Sequence, residues 1–337
     1  MKIDGAILAA SPGDAGPAAQ SLEQLGYDGG FTFEGPHDPF LPLAVAAEHT
    51  ERLELATAIA IAFARNPMTL AYLGNDLQLH SSGRFILGLG SQIRPHIEKR
   101  FSSSWSRPAA RMRELVLAIR AIWRAWNQDE KLDFRGDFYT HTLMTPVFNP
   151  GQNPYGTPRI FVAGIGPKMT EVAGEVADGF FVHPFHTPEF IETLTLPALE
   201  RGLATAGRAR ENFEIACQVM IASGSTEEEF TAARNAARAQ ISFYGSTPAY
   251  RPVLECHGRG ELQSELNRLS KQGHWLEMAG LIDDELLEQI AVVGEPDEVA
   301  PKLRARCQKF ADRISLVAPT VPDPAAWLNV VRELKRS

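Results

Sequence analysis

Cysteine is scarce in this chain: 337 residues hold three, Cys217, Cys256 and Cys307. They lie far apart, with neither metal-ligand nor redox spacing, and that usage fits a reducing compartment. Positive charge is thin as well. Lys and Arg number 33 against 41 Asp and Glu, a net charge of -8, and no dense basic block is present, which argues against nucleic acid as a partner. No apolar run is long enough to span a membrane. The opening Met1-Lys-Ile-Asp-Gly-Ala-Ile-Leu8 carries a charge inside its apolar stretch, so it reads as a first strand and not a signal peptide. A soluble cytoplasmic protein is the expectation. There is no clean internal repeat, low-complexity tract or linker composition, so 1–337 reads as a single domain. Two catalytic classes also lack their parts. No Gly-x-Ser-x-Gly elbow follows a strand. Metal-dependent hydrolysis in a barrel needs ligands converging from several strands, often a His-x-His on the first, where this chain has only Asp4. No metal is expected.

What the chain does have is alternation. Candidate strands are Ile3–Ala9, Gly29–Phe33, Leu53–Ile61, Phe85–Leu89, Arg159–Ala163, Gly179–Val182, Phe213–Ile221 and Arg313–Ala318. Helical patterns fill the gaps. Asn66-Pro67 opens one, with Asn as cap and Pro in the first turn, and Ser81-Ser-Gly83 closes it. After Ser106-Arg-Pro108, Met112, Leu115, Ile119, Ile122 and Trp126 recur at three- and four-residue steps, one buried stripe. Ser225 and Glu228 have capping-box spacing, and Trp327, Val330 and Leu334 give the last helix an apolar face. Eight strands with helices between them predict an α/β fold, a (β/α)8 TIM barrel; an open doubly wound sheet is the alternative if Phe213–Ile221 is not a strand. Two stretches break the alternation: Asn127–Pro158, before the fifth strand, and Phe243–Ile290, before the eighth. Excursions of that length are usually functional lids or interface elements.

In a barrel the chemistry sits at the C-terminal ends of the strands, which turns the strand list into a site list. The fifth strand runs into Ala163-Gly-Ile-Gly-Pro-Lys-Met169, a glycine turn that opens a helix. Free N–H groups at a helix start suit a phosphate, and Lys168 adds a positive charge at the same mouth, so a phosphorylated cofactor is the first reading; an ordinary tight turn is the plain one. Past the second strand, Glu34 and His37 could hold and move a proton, whereas Asp38 reads as a helix cap. Past the fourth, Gly88 and Gly90 would let a flat ring lie against the backbone or serve tight barrel packing, and Ser91 and Gln92 offer polar groups for a ring or cap the turn. Past the sixth come His183 and His186. Phe40, Phe63, Trp105 and Phe185 are candidate apolar walls, with core packing as the other explanation for each.

These motifs together resemble the luciferase-like monooxygenase superfamily, and within it the deazaflavin (coenzyme F420) dependent oxidoreductases. The resemblance covers nearly the whole chain. It is carried by Glu34-Gly-Pro-His-Asp-Pro-Phe-Leu-Pro-Leu43, Leu55-Ala-Thr-Ala-Ile-Ala60 with Arg65-Asn-Pro-Met68, and Asp76-Leu-Gln-Leu-His-Ser-Ser-Gly-Arg-Phe-Ile-Leu-Gly-Leu-Gly-Ser91. Ala163-Gly-Ile-Gly166 and Ala173-Gly-Glu-Val-Ala-Asp-Gly179 add to it, and Phe243-Tyr-Gly-Ser-Thr-Pro-Ala-Tyr-Arg251 looks like a narrower subfamily mark. The resemblance implies a homodimeric (β/α)8 barrel with the deazaflavin ring at the C-terminal mouth, exchanging a hydride with a small organic substrate. It implies a cis peptide at Ala58-Ile59 behind the ring, contacts from Ser91 and Gln92 beside it and a phosphate seat at Ala163, Gly164, Ile165 and Gly166; placement at the strand ends adds Gly90, Lys168 and His183 to the cofactor-binding candidates. It places His37 as the proton-handling residue, and the short spacing past the second strand makes Glu34 the candidate helper. The chain departs from the pattern at Ala56 and Ala58, where the commoner residues are Gly and small polar ones, and at Gln92, where many relatives have glycine. The alternative cofactor is FMN, in a two-component flavin monooxygenase of the same fold; from another class, a barrel could bind deazaflavin as a carrier or sensor without turnover.

Overall fold

The computed structural model describes residues 1–320 and 324–336. Eight parallel strands form a closed ring: β1 (Lys2–Ala6), β2 (Gly29–Thr32), β3 (Glu54–Thr57), β4 (Phe85–Gly90), β5 (Arg159–Gly164), β6 (Gly179–Val182), β7 (Glu214–Ala222) and β8 (Arg313–Val317). Closure is explicit in the register of β1 on β8, Lys2 opposite Arg313 and Asp4 opposite Ser315. That pairing rules out the open-sheet alternative, and Phe213–Ile221 is indeed a strand. Helices α1 (Ala15–Leu25), α2 (Phe40–His49), α3 (Pro67–His80), α4 (Pro108–Asn127) and α5 (Pro167–Val176) follow the first five strands. The Asn66 side chain accepts the Thr69 N–H at the start of α3, and the stripe Met112, Leu115, Ile119, Ile122, Trp126 of α4 is buried. The N-cap of helix Glu227–Gly245 lies one residue later than the Ser225 and Glu228 spacing suggests, and no reciprocal capping box forms. Thr226 caps the Glu229 N–H, and the Glu229 carboxylate accepts the Ser225 N–H. Both pairs have the same spacing, and the backbone extends at Thr226.

Side chains alternate across each strand, and those facing the barrel axis stack in three layers. The floor is charged: Lys2, Glu54, Arg159, Glu214 and Arg313 are the first residues of β1, β3, β5, β7 and β8. Arg313, 2% exposed, holds Asp4 with two bonds of 2.8 Å and reaches Glu54 at 2.8 Å and Glu214 at 3.1 Å. A Cβ at Gly29 would lie 2.4 Å from the Asp4 carboxylate, so glycine leaves room for this pair. The middle layer is a filled apolar plug of Phe31, Ala56, Ile86, Phe161, Phe181 and Ala216. The top layer is small, and it belongs to the site.

Each excursion has its own reason to fold. In 127–158, a two-residue hairpin (Phe134–Arg135 with Thr140–His141) sits on Glu114 of α4, which accepts the N–H groups of Asp137, Phe138 and Tyr139 at 2.9, 2.7 and 2.6 Å. A Cβ at Gly136 would come within 2.2 Å of that carboxylate. The second excursion is a helical layer (Gly260–Gln272, Trp275–Gly280, Asp284–Ile290) closed over Ile241, Leu254, Leu266, Met278 and Ile290. It ends in a short strand, Ala291–Val293, that adds in parallel to the end of β7. No helix among the described residues is long and apolar enough to cross a membrane.

Candidate active site

The mouth of the barrel is built where β3 leaves the ladder. Leu55 and Ala56 pair with Phe85 and Ile86, and pairing resumes with Ala60 opposite Leu89. Three residues of β3 thus oppose two of β4, a bulge, and the peptide Ala58-Ile59 inside it is cis. Thr57 fills the break: its hydroxyl donates to the Gly88 carbonyl at 2.8 Å and accepts the Gly88 N–H at 2.9 Å. A Cβ at Gly88 would fall 1.8 Å from the Thr57 carbonyl oxygen, and one at Gly90 would press on Ile59 at 2.7 Å. Both glycines are therefore demanded by strand packing. The consequence is a low surface: Ala6, Ala58, Ile59 and Ala163 rest on the apolar plug, with no large side chain rising from β3, β4 or β5.

One strand over lies the turn after β5. Ala163 and Gly164 remain inside the strand, and Gly164 is glycine because a Cβ would meet Met169 at 2.6 Å. The seat is therefore narrower than the motif suggests. Its donors are Ile165, Gly166 and Lys168, whose N–H groups have no acceptor among the described residues. Gly166 is the N-cap of α5, and a Cβ there would meet nothing within 4 Å. Open space over bare amides at the positive end of a ten-residue helix is the geometry an anion needs. Lys168 is exposed beside it. Next to the seat, Ile165, Pro167, Phe190, Leu194, Pro252, Glu255 and Cys256 line a cavity of about 400 Å³.

The loop after β2 does not join its two candidates. The Glu34 carboxylate is committed to Arg65 at 2.6 Å and to the Ile61 N–H at 2.7 Å, and Arg65 also holds Asp38 at 2.8 Å. Glu34 is thus a clamp on the chain just past the cis peptide and no helper of His37. Asp38 stands one residue before the N-cap, which is Pro39, and its carboxylate accepts the first helical N–H, that of Phe40, at 2.9 Å. His37 is exposed at the rim, with Nε2 3.0 Å from the Ala10 carbonyl oxygen. A carbonyl only accepts, so Nε2 carries the hydrogen and Nδ1 is left free to take a proton.

Ser91 and Gln92 bond locally, Ser91 to the Gln92 carbonyl at 3.1 Å and the Gln92 side chain to the Ile93 N–H at 2.9 Å. Gln92 has φ 57, the left-handed region that glycine adopts freely. Its own side-chain bond offsets that conformation. Gln92→Ala should lose about 1 kcal/mol of stability and Gln92→Gly close to none; urea midpoints of the two variants check this order.

His183 continues the inward alternation of β6 beyond Phe181. Its Nδ1 accepts the Phe185 N–H at 3.1 Å, so Nε2 bears the hydrogen and points at the Tyr250 hydroxyl, 3.4 Å away. The ring sits 4.6 Å from Tyr244 and 4.7 Å from Tyr250. Burial, then Tyr244, pushes the Tyr250 hydroxyl up to about 12. Tyr244 and Tyr250 are site residues that sequence reasoning left without a role, although both lie in the block 243–251 that it marked as distinctive. Of the candidate walls, Phe40, Phe63 and Phe185 are buried core residues, and the partly buried Trp105 packs edge-on to Phe63 at 5.7 Å.

His186 is fully enclosed. Its Nδ1 donates to the His183 carbonyl at 2.8 Å and its Nε2 accepts from the Cys217 thiol at 3.5 Å. Burial and then nearby Arg306 hold it down at about 3; burial alone holds His183 at about 3. A histidine depressed on folding contributes stability that is complete above its unfolded value near 6.5 and is lost as pH falls toward 3. Glu54, by contrast, begins to matter only below 4.5. Between pH 6.5 and 4.5 the protein should therefore lose about 2–3 kcal/mol through His186 alone. His183 adds a similar loss over the same range, so His186→Gln should remove about half of the slope seen in denaturant titrations.

The chain matches the family model described as luciferase-like monooxygenase over residues 2–313. An uncharacterized protein of Mycobacterium tuberculosis is 57% identical over 317 residues, 93% of this chain and 92% of that one. The 5,10-methylenetetrahydromethanopterin reductase of Archaeoglobus fulgidus is 27% identical over 296 residues, 86% of this chain and 84% of that one. Among solved structures, the coenzyme F420 dependent tetrahydromethanopterin reductase from Methanopyrus kandleri shares the fold, with a TM-score of 0.78 at 19% identity over 99% of this chain and 96% of that chain.

Proposed function

Because the chain belongs to the luciferase-like monooxygenase family, we propose that it is an F420-dependent oxidoreductase acting on a small organic substrate. The observation that carries this reading is the low mouth floor of Ala6, Ala58, Ile59 and Ala163, with no side chain at Gly88 or Gly90, beside the bare amides of Ile165, Gly166 and Lys168. A flat ring with an anionic tail fits that pairing of surfaces. The residues that would hold the ring are Ala58, Ile59 and Gly90, through a surface that Thr57 and the Glu34–Arg65 clamp keep rigid. The tail would take the seat amides and Lys168.

Bound there, a deazaflavin supplies a two-electron centre that takes or gives a hydride. The chain's part is orientation, exclusion of water and one proton. His37 is the residue proposed to hold that proton, at Nδ1, with Nε2 anchored on the Ala10 carbonyl so that the lone pair is on Nδ1. Tyr250 keeps its own proton, since its hydroxyl is pushed up to about 12, and is a second donor for a substrate oxygen.

Titration of the purified protein with F420 and, separately, with FMN tests the cofactor. Tight F420 binding is expected; FMN binding with no F420 binding rejects it. The second reading, an FMN-using monooxygenase, is favoured by the name of the family model itself, and oxygen-dependent product formation with reduced FMN would establish it. A homodimer in the cytoplasm is proposed on the resemblance alone, and light scattering on the purified protein decides its oligomeric part.

A further inference from the structure

Outside the barrel mouth, the loop after β6 and the short helix Arg251–Glu255 bring three different donors together. The Glu189 carboxylate, the Cys256 thiol and the His257 imidazole place one ligand atom each within 4.8 Å of the others. His257 Nδ1 already lies 3.7 Å from a Glu189 oxygen. In a tetrahedral site with bonds of about 2.0–2.3 Å, neighbouring ligand atoms stand roughly 3.3–3.8 Å apart. Small side-chain rotations therefore suffice.

Two further features fit a cation site. The other nitrogen of the same imidazole, Nε2, is 2.8 Å from the Thr187 hydroxyl, and that oxygen also accepts the Phe190 N–H at 3.1 Å. With Nε2–H donating to Thr187, the lone pair is on Nδ1, the nitrogen that lies 3.7 Å from Glu189. Metal-binding histidines are oriented in this way by a partner on the second nitrogen. Cys256 also lines the cavity of about 400 Å³ beside the amide seat. Three protein ligands and adjoining open volume match a site with a vacant fourth position rather than a closed structural one.

We propose that Glu189, Cys256 and His257 bind a divalent transition-metal cation of the zinc class, with the fourth position open to solvent or to an anionic ligand. Thiolate, imidazole and carboxylate together select such an ion over calcium or magnesium, which take oxygen ligands. Binding replaces the thiol proton of Cys256, which leaves to solvent, and the metal–sulfur bond forms in its place.

The test is titration of the full chain with Co²⁺, in a buffer free of thiols and chelators, followed by Zn²⁺ displacement. One equivalent of Co²⁺ should bind with a thiolate-to-metal absorption band that Zn²⁺ removes. Cys256→Ser should abolish the band, and Glu189→Gln, at an exposed position, should weaken binding at least about tenfold with the fold intact by circular dichroism. Thr187→Val should weaken it about 10–100-fold while Thr187→Ser restores it. Absence of the band, or a band that survives in Cys256→Ser and so belongs to Cys217 or Cys307, overturns the proposal. Co²⁺ bound with no loss of affinity in Glu189→Gln also overturns it as a three-ligand site.

Discussion

Replacing Arg313 by methionine is expected to lower the unfolding free energy by about 3–5 kcal/mol, enough to leave little folded protein in a barrel of ordinary stability. The guanidinium is 2% exposed and shared by Asp4, Glu54 and Glu214. Removing it leaves carboxylates in the barrel floor without their main counter-charge, and truncating one side of a buried pair costs far more than the pair contributes net. The pH dependence identifies the cause. In the intact protein, burial would raise the Glu54 carboxyl, but Arg313, Arg159 and Lys2 outweigh it and hold it at about 2. That depressed value contributes stability which is complete above 4.5 and is lost as pH falls toward 2. Without Arg313 the burial effect prevails at Glu54, its carboxyl takes up a proton on folding, and the sign reverses: the variant should gain on the native protein as pH falls from 7 to 4. Arg313→Lys keeps the charge but not the fork that grips Asp4, and should lie between the two. Denaturant midpoints at pH 7 and pH 4 decide the matter. A loss below about 1 kcal/mol at pH 7, or a gap that does not narrow in acid, would show that the floor charges are solvated and unimportant.

This floor was not legible in the sequence. Lys2, Glu54, Arg159, Glu214 and Arg313 each stand at the first position of a strand, where a charge normally marks the chain emerging from solvent. Only closure of the ring turns those positions inward and onto one another. The strands themselves were legible, because eight short apolar runs separated by capped helices admit few topologies; Gly179–Val182 matches at both ends, and outside the third strand no end is off by more than three residues. The exception is instructive: Leu53–Ile61 reads as one strand but is two, Glu54–Thr57 and Ala60–Ile61, divided by the bulge that makes the mouth. Apolar patterning has no signal for a bulge; the resemblance supplied the cis peptide.

The site was legible in its glycines and less so in its polar residues. Gly88, Gly90 and Gly164 are fixed by contacts that a Cβ would violate, and such needs follow from strand geometry. The Glu34 and His37 partnership failed because a three-residue spacing in a loop carries no geometry, and Arg65, distant in sequence, took the carboxylate. Tyr244 and Tyr250 escaped because their approach to His183 depends on how the second excursion folds back, which periodicity within that excursion does not encode.

Gly166→Asp separates the two roles of the turn after β5 by moving them in opposite directions. As a fold element, position 166 is the N-cap of α5, with φ -74 and ψ 145, an extended conformation open to any residue, and a side chain there meets nothing within 4 Å. Aspartate is among the preferred N-caps, since its carboxylate accepts helix N–H groups and sits well at the positive end of the helix. The variant should therefore be as stable as the native protein or up to about 1 kcal/mol more stable. As a binding element, the same carboxylate occupies the amides offered to the cofactor tail and sets a negative charge against it. Two unit charges about 4 Å apart at an effective dielectric of about 20 repel by about 4 kcal/mol, so affinity for a phosphate-bearing cofactor should fall at least ~100-fold. Thermal unfolding and cofactor titration of one variant give both readouts. Higher or unchanged stability with lost cofactor binding fits the seat. Unchanged affinity would mean that the tail is held elsewhere and that Ile165, Gly166 and Lys168 form an ordinary strand-to-helix turn. Lost stability would mean that the open space above Gly166 is not open in solution.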